Sequence, residues 1–178
     1  MIESLAHLLT SKTMSTWVTD VAAVWAFAEI VHYVGMLLLI GSVGLLDLRM
    51  LGFAKGLPIA SLERLVPIGM FGFALNVVTG AVFVSGNPGA GALEYLTNFA
   101  FQMKMLCLLL AGVNVMVFYF TGVSRAAHAT APDGDAPRPA RIVAATSIVL
   151  WLCVIYFGRM IMYNDTLLEF LWPVSRQP

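Results

Sequence analysis

Four ionisable side chains interrupt otherwise apolar stretches of this sequence: Glu29, His32, Lys104 and Arg159. A charge at the centre of a membrane span costs about 2.5–3.5 kcal/mol on insertion scales, so each needs a partner or a task. Glu29 and His32 are three residues apart and share one helix face, which Gly35 continues a turn deeper. In the next apolar stretch Gly69, Gly72, Asn76, Thr79 and Gly80 recur at helical spacing, and in the third Lys104, Ala111 and Asn114 do. Seams of small and polar residues belong in the interior of membrane bundles. The spacing therefore predicts a central site of His32, Asn76 and Asn114, with Glu29, Lys104 and Arg159 above it.

Two chemistries suit such a site. An imidazole beside a glycine is an arrangement for axial ligation of b-type haem, which makes His32 the candidate metal ligand. Lys104 and Arg159 would then hold haem propionates. The same groups could instead hold a quinone head group, with the cations on a carbonyl and Asn76 and Asn114 beside it. Glu29 would orient His32 or carry a proton outward, the candidate catalytic role. Haem on the single intramembrane histidine would need a methionine, a five-coordinate iron or a histidine from another subunit. A third reading is structural: Glu29 neutralises Lys104 or Arg159, the cations snorkel to the interface, and His32 is a hydrogen-bonded core residue. The chain is then an assembly subunit with no cofactor of its own.

Other motifs carry less. Met103-x-Met105 and Met160-x-Met162 place their sulfurs on opposed helix faces, which suits packing better than copper. Cys107 and Cys153 form no CxxC and read as small hydrophobes inside their helices. Asp47-Leu48-Arg49 reads as an orientation lock, with Asp47 paired to Arg49 or Arg64, and His128 as a solvated loop residue. The nucleophile-elbow, zincin, P-loop and dinucleotide-binding motifs are absent.

The elements that must position these residues follow from composition. Of 178 residues 60% are hydrophobic and 11% charged, against roughly 25% charge in soluble domains. The mean hydropathy is +0.86. Ten basic and ten acidic residues leave no net charge and no nucleic-acid surface. Four apolar stretches reach the roughly 20 residues a spanning helix requires: 21–46, 65–86, 100–121 and 142–163. The expected fold is all-α, one integral membrane domain over 1–178: an antiparallel four-helix transmembrane bundle with a short interfacial N-terminal helix. In that first helix Ile2, Leu5, Leu8 and Leu9 face lipid.

Arg49, Lys55 and Arg64 lie in the first connection and Arg125, Arg138 and Arg141 in the third, whereas the second carries only Glu94. The positive-inside rule puts connections one and three in the cytoplasm and both termini on the outer, periplasmic side of the inner membrane. On the helix rise, His32 lies ~2 Å and Glu29, Lys104 and Arg159 roughly 7–10 Å toward that outer side. Trp17, Tyr95, Tyr163 and Trp172 would form an interfacial belt. The segment Ala131–Pro139, with three prolines and a glycine, reads as a flexible linker. The lipid bilayer is the implied partner, with further membrane subunits or a second copy of the chain as possible company.

Taken in order, His32-x-x-Gly35, Asp47-Leu48-Arg49-x-Leu51-Gly52, Thr79-Gly80, Asn98-x-Ala100-Phe101-x-x-Lys104, Asn114 and Gly158-Arg159 resemble an uncharacterised family of small four-helix bacterial integral membrane proteins. That resemblance covers roughly residues 25–163 and implies the architecture without an activity. The chain is more loosely similar to cytochrome b-type membrane subunits, from which it departs in lacking paired intramembrane histidines, and to copper-resistance-type membrane domains.

Overall fold

Inside a bilayer every backbone N–H and C=O must be satisfied within its own segment, which leaves a long apolar run only the helix. The computed structural model describes residues 2–89, 91–131 and 133–171, so Trp172 and Pro132 lie outside the described residues. Its elements are α1 (Ile2–Leu9), α2 (Lys12–Asp20), α3 (Ala22–Leu51), α4 (Ile59–Glu63), α5 (Val66–Ser85), α6 (Ala92–Thr97), α7 (Phe99–Phe120), α8 (Val123–His128), α9 (Arg138–Met160) and α10 (Asn164–Leu171). A 3-10 turn, Ile161–Tyr163, joins the last two, and the described residues contain no strand. The helices α3, α5, α7 and α9 provide four segments long and apolar enough to cross a membrane. They carry rows of exposed Phe, Leu, Ile and Val, as lipid contact requires. The chain is an all-α, multi-pass membrane protein.

The bundle is two hairpins joined through one helix. α3 packs along α5, α7 along α9, and α3 also meets α9. The α3–α5 crossing is close because glycines face each other. A Cβ on Gly35 would stand 2.7 Å from the Gly72 carbonyl oxygen, and one on Gly72 would stand 2.4 Å from that of Gly35. A turn further along, the Ser42 hydroxyl fills the space a Gly69 side chain would need. Gly41, Gly80 and Gly112 meet no such neighbour, so Gly80 falls beside the predicted seam.

α7 and α9 are tied at both ends. Asn98 caps α7 by accepting from the Phe101 amide (3.0 Å) and donates through Nδ2 to the Ile161 carbonyl (3.0 Å). At the far end Asn114 Nδ2 donates to the Val143 carbonyl (3.1 Å). At the end carrying the termini, α1 lies against α6, and the Thr10 hydroxyl accepts from the Ala92 amide (3.0 Å). Ile2, Leu5, Leu8 and Leu9 stay exposed, as predicted for a helix whose apolar face meets lipid.

The opposite, basic end holds the densest core: Leu46, Met50, Ile59, Leu62, Phe118, Ala127, Ala136, Ala140, Val143 and Ala144. α3 therefore runs on past the predicted end at Leu46, because its next turn is inside protein. It stops at Gly52, whose φ of +103° suits glycine, with the Gly52 and Phe53 amides bonded to the Arg49 and Leu48 carbonyls.

Candidate functional site

His32 sits half-buried where α3 meets α5, with Nδ1 2.7 Å from the Thr79 hydroxyl oxygen. Thr79 is buried and its hydroxyl also lies 2.7 Å from the Leu75 carbonyl; a proton donated there leaves the oxygen to accept from His32 Nδ1–H. In that tautomer Nε2 keeps its lone pair. Phe83 packs between His32 and Trp25, its ring centroid 5.5 Å from the first and 5.0 Å from the second. On the same seam Asn76 lies against Gly35, and its Oδ1 is buried without a hydrogen-bond partner. Two open acceptors, His32 Nε2 and Asn76 Oδ1, thus belong to one small region of the α3–α5 contact.

Lys104 belongs to the other hairpin. Its stem crosses α9 at Gly158, where a Cβ would lie 3.6–3.7 Å from the lysine Nζ, Cε and Cδ atoms. The ammonium stands within electrostatic range of His32. Among the described residues it makes no ion pair. Glu29 does not neutralise it: the carboxylate is exposed and accepts from Trp25 Nε1 at 3.2 Å, one turn back on the same helix. Burial pushes the Tyr95 hydroxyl above its ordinary range, and the Glu94 and Glu29 carboxylates push it the same way. Tyr95 therefore stays a neutral hydroxyl near Glu29. Arg159 is exposed, with its guanidinium 5.5 Å from the centre of the Tyr163 ring, the cation–π contact of an interfacial anchor. His32 and Asn76 share the α3–α5 contact, Lys104 stands on the other hairpin within electrostatic range of His32, Glu29 lies a turn from His32, Arg159 points to the periphery, and Asn114 serves the α7–α9 contact.

A second polar cluster lies at the basic end. Asp47 is 3% exposed and Arg49 is fully buried. Arg49 Nε donates to the Leu57 carbonyl (2.7 Å), and both terminal nitrogens reach the Gly134 carbonyl (3.4 Å). One guanidinium thus ties the first connection to the third. The Asp47 carboxylate faces Ser147 of α9, and its Oδ2 has no hydrogen-bond partner. Outside the spans, Lys55 and Asp135 form an ion pair at 2.6 Å, and the ammonium holds the Asp135 carboxyl below the usual aspartate range. His128 pairs with Glu63 instead of standing alone in solvent. The segment expected to be a flexible linker is anchored at Gly134 and Asp135 and by the buried Ala136.

Sequence reasoning marks Asp47-Leu48-Arg49 as an orientation lock at the end of the span but misses its burial and its reach to the third connection. Burial of the following turn brings both side chains inside. Helical continuation through Met50-Leu51 was the available signal.

No family model matches the chain, and neither a curated protein nor a solved structure is similar to it.

Proposed function

We propose that the chain is a redox subunit of the bacterial inner membrane that holds the head group of a quinone-class lipid between His32 and Lys104, near the outer side. The observation that carries this reading is the Thr79–His32 hydrogen bond. In the tautomer that bond favours, Nε2 is a proton acceptor within electrostatic range of an ammonium that has no carboxylate partner among the described residues. A quinol hydroxyl donates to Nε2, and Lys104 stabilises the oxyanion left when that proton moves. Asn76 Oδ1 offers a further acceptor, and the Phe83 and Trp25 rings supply an aromatic wall for a planar ring.

A b-type haem would use the same Nε2, with Lys104 on a propionate. Gly35 gives it little help, because the face that would admit the macrocycle is filled by the α5 backbone at Gly72. The quinone reading is therefore the stronger of the two. In this reading connections one and three face the cytoplasm, following their arginines, and the exposed helix faces meet lipid or partner subunits.

The test is solvent extraction of the purified protein together with oxidised and dithionite-reduced visible spectra. A co-extracted quinone, lost in His32→Ala, supports the proposal, and a Soret band lost in that variant would replace quinone with haem. A colourless protein free of quinone, which takes up none when it is added, would leave the cofactor-free assembly subunit.

A further inference from the structure

The fold brings together the two cysteines, which lie 46 residues apart in the sequence. The register of α7 against α9 is set by the bond from Asn98 to Ile161, by Lys104 lying over Gly158, and by the bond from Asn114 to Val143. Cys107 is nine residues along α7 from Asn98, and Cys153 is eight residues back along α9 from Ile161. Counted from the other anchor, Cys107 is seven residues before Asn114 and Cys153 ten after Val143. The first count puts the thiols level to within one residue, and the second to within one turn. They are indeed within hydrogen-bond reach, both free, Cys107 buried and Cys153 half-buried. The buried Ala111 and Gly158, with the Lys104 stem over it, lie on either side of the pair, and a disulfide there demands a Cβ separation of about 3.5–4.5 Å.

We propose that Cys107 and Cys153 are a dithiol–disulfide couple within the membrane that delivers electrons to the quinone-class head group, a step that rests on the function proposed above. Lys104 precedes Cys107 by one helical turn, ~4.5 Å of rise, so the thiol pair lies directly inward of the His32–Lys104 site. In the forward step both S–H bonds break and one S–S bond forms. Two electrons and two protons pass to the quinone, whose two carbonyl oxygens become the hydroxyls of the quinol. Thiol oxidation proceeds through a thiolate, whose proton leaves with the pair's two electrons. A lipid-soluble oxidant is the class able to reach a pair at this depth, which a water-soluble disulfide cannot. Reversal needs only a quinol and returns the same atoms.

The experiment uses the full chain in phospholipid nanodiscs, reduced and desalted without oxygen, then mixed with a short-chain ubiquinone. Thiols are counted by maleimide-polyethylene-glycol shift after denaturation, quinol by absorbance, and quinone binding by quenching of Trp25. The expected result is loss of both thiols with one quinol formed per chain. Cys107→Ser and Cys153→Ser should form no quinol while still binding quinone. In a control, diamide should form the intramolecular disulfide without quinone, and its failure to do so in the wild-type protein would overturn the couple outright. Quinone that binds while both thiols persist would overturn the electron route and leave the quinone site intact. A disulfide that forms with diamide in a protein that binds no quinone would overturn the route together with the function it rests on.

Discussion

The Thr79 hydroxyl lies 2.7 Å from both the Leu75 carbonyl and His32 Nδ1, an arrangement that favours the tautomer with its proton on Nδ1. A side chain on α5 thereby biases which nitrogen of an α3 histidine is free to meet a ligand. Replacing Thr79 by valine keeps the volume and removes the acceptor. A net hydrogen bond of about 0.5–1.5 kcal/mol corresponds to roughly tenfold at most in affinity. Thr79→Val should weaken quinone binding by up to about that factor, and Thr79→Ser should restore it, as read by titration in detergent. Equal affinity in all three proteins would remove Thr79 from the site.

The glycine crossing predicts a selective pattern in stability. Gly35→Ala and Gly72→Ala drive a methyl into a carbonyl oxygen at 2.7 and 2.4 Å. Overpacking of this kind costs about 1–3 kcal/mol. Gly80→Ala and Gly112→Ala, with open space at the Cβ position, should leave the melting temperature unchanged or slightly raised. Thermal unfolding in one detergent separates the two pairs. Equal sensitivity at all four positions would contradict the crossing.

How much of this was legible beforehand varies with the physics involved. The four spans were, because twenty apolar residues in lipid have one stable conformation. The 3.6-residue period also placed Glu29, His32 and Gly35 on one face of their own helix. Periodicity does not say how neighbouring helices are rotated or shifted, so Asn114 and His32 were grouped although Asn114 bonds to α9. The same gap hid the meeting of Cys107 and Cys153, which depends on the register between two helices. The Glu29–Trp25 bond was readable, since residues four apart on a helix are neighbours. The anchoring of the Pro-rich connection was not, because it depends on Arg49 being buried 85 residues before Gly134.

The basic end predicts a pH response and a dependence on Arg49. Asp135 titrates below its ordinary range in the fold, so its ion pair with Lys55 contributes above the normal aspartate value of about 3.9. The contribution is lost as pH falls through the lower, folded value. Hydrogen-exchange protection at 133–136, relative to the unfolded chain at the same pH, should therefore fall on acidification below about pH 4, and Asp135→Asn should abolish that step. Arg49→Met removes the donors of the Leu57 and Gly134 carbonyls, each worth about 1–3 kcal/mol when left buried and unpaired. Limited proteolysis should then cut the third connection far faster than in the wild-type protein. Unchanged cleavage would mean that Arg49 does not hold the two connections.

Trp25 is placed to report a quinone head group bound at His32. The Trp25 ring lies 5.0 Å from Phe83, which in turn lies 5.5 Å from His32. Titrating a short-chain ubiquinone into the purified protein while following tryptophan fluorescence tests the claim most directly. The account predicts saturable quenching in the wild-type protein, loss of the saturable component in Trp25→Phe, and at least tenfold weaker binding in a folded His32→Ala. Quenching that never saturates, or that saturates equally well without His32, would contradict it.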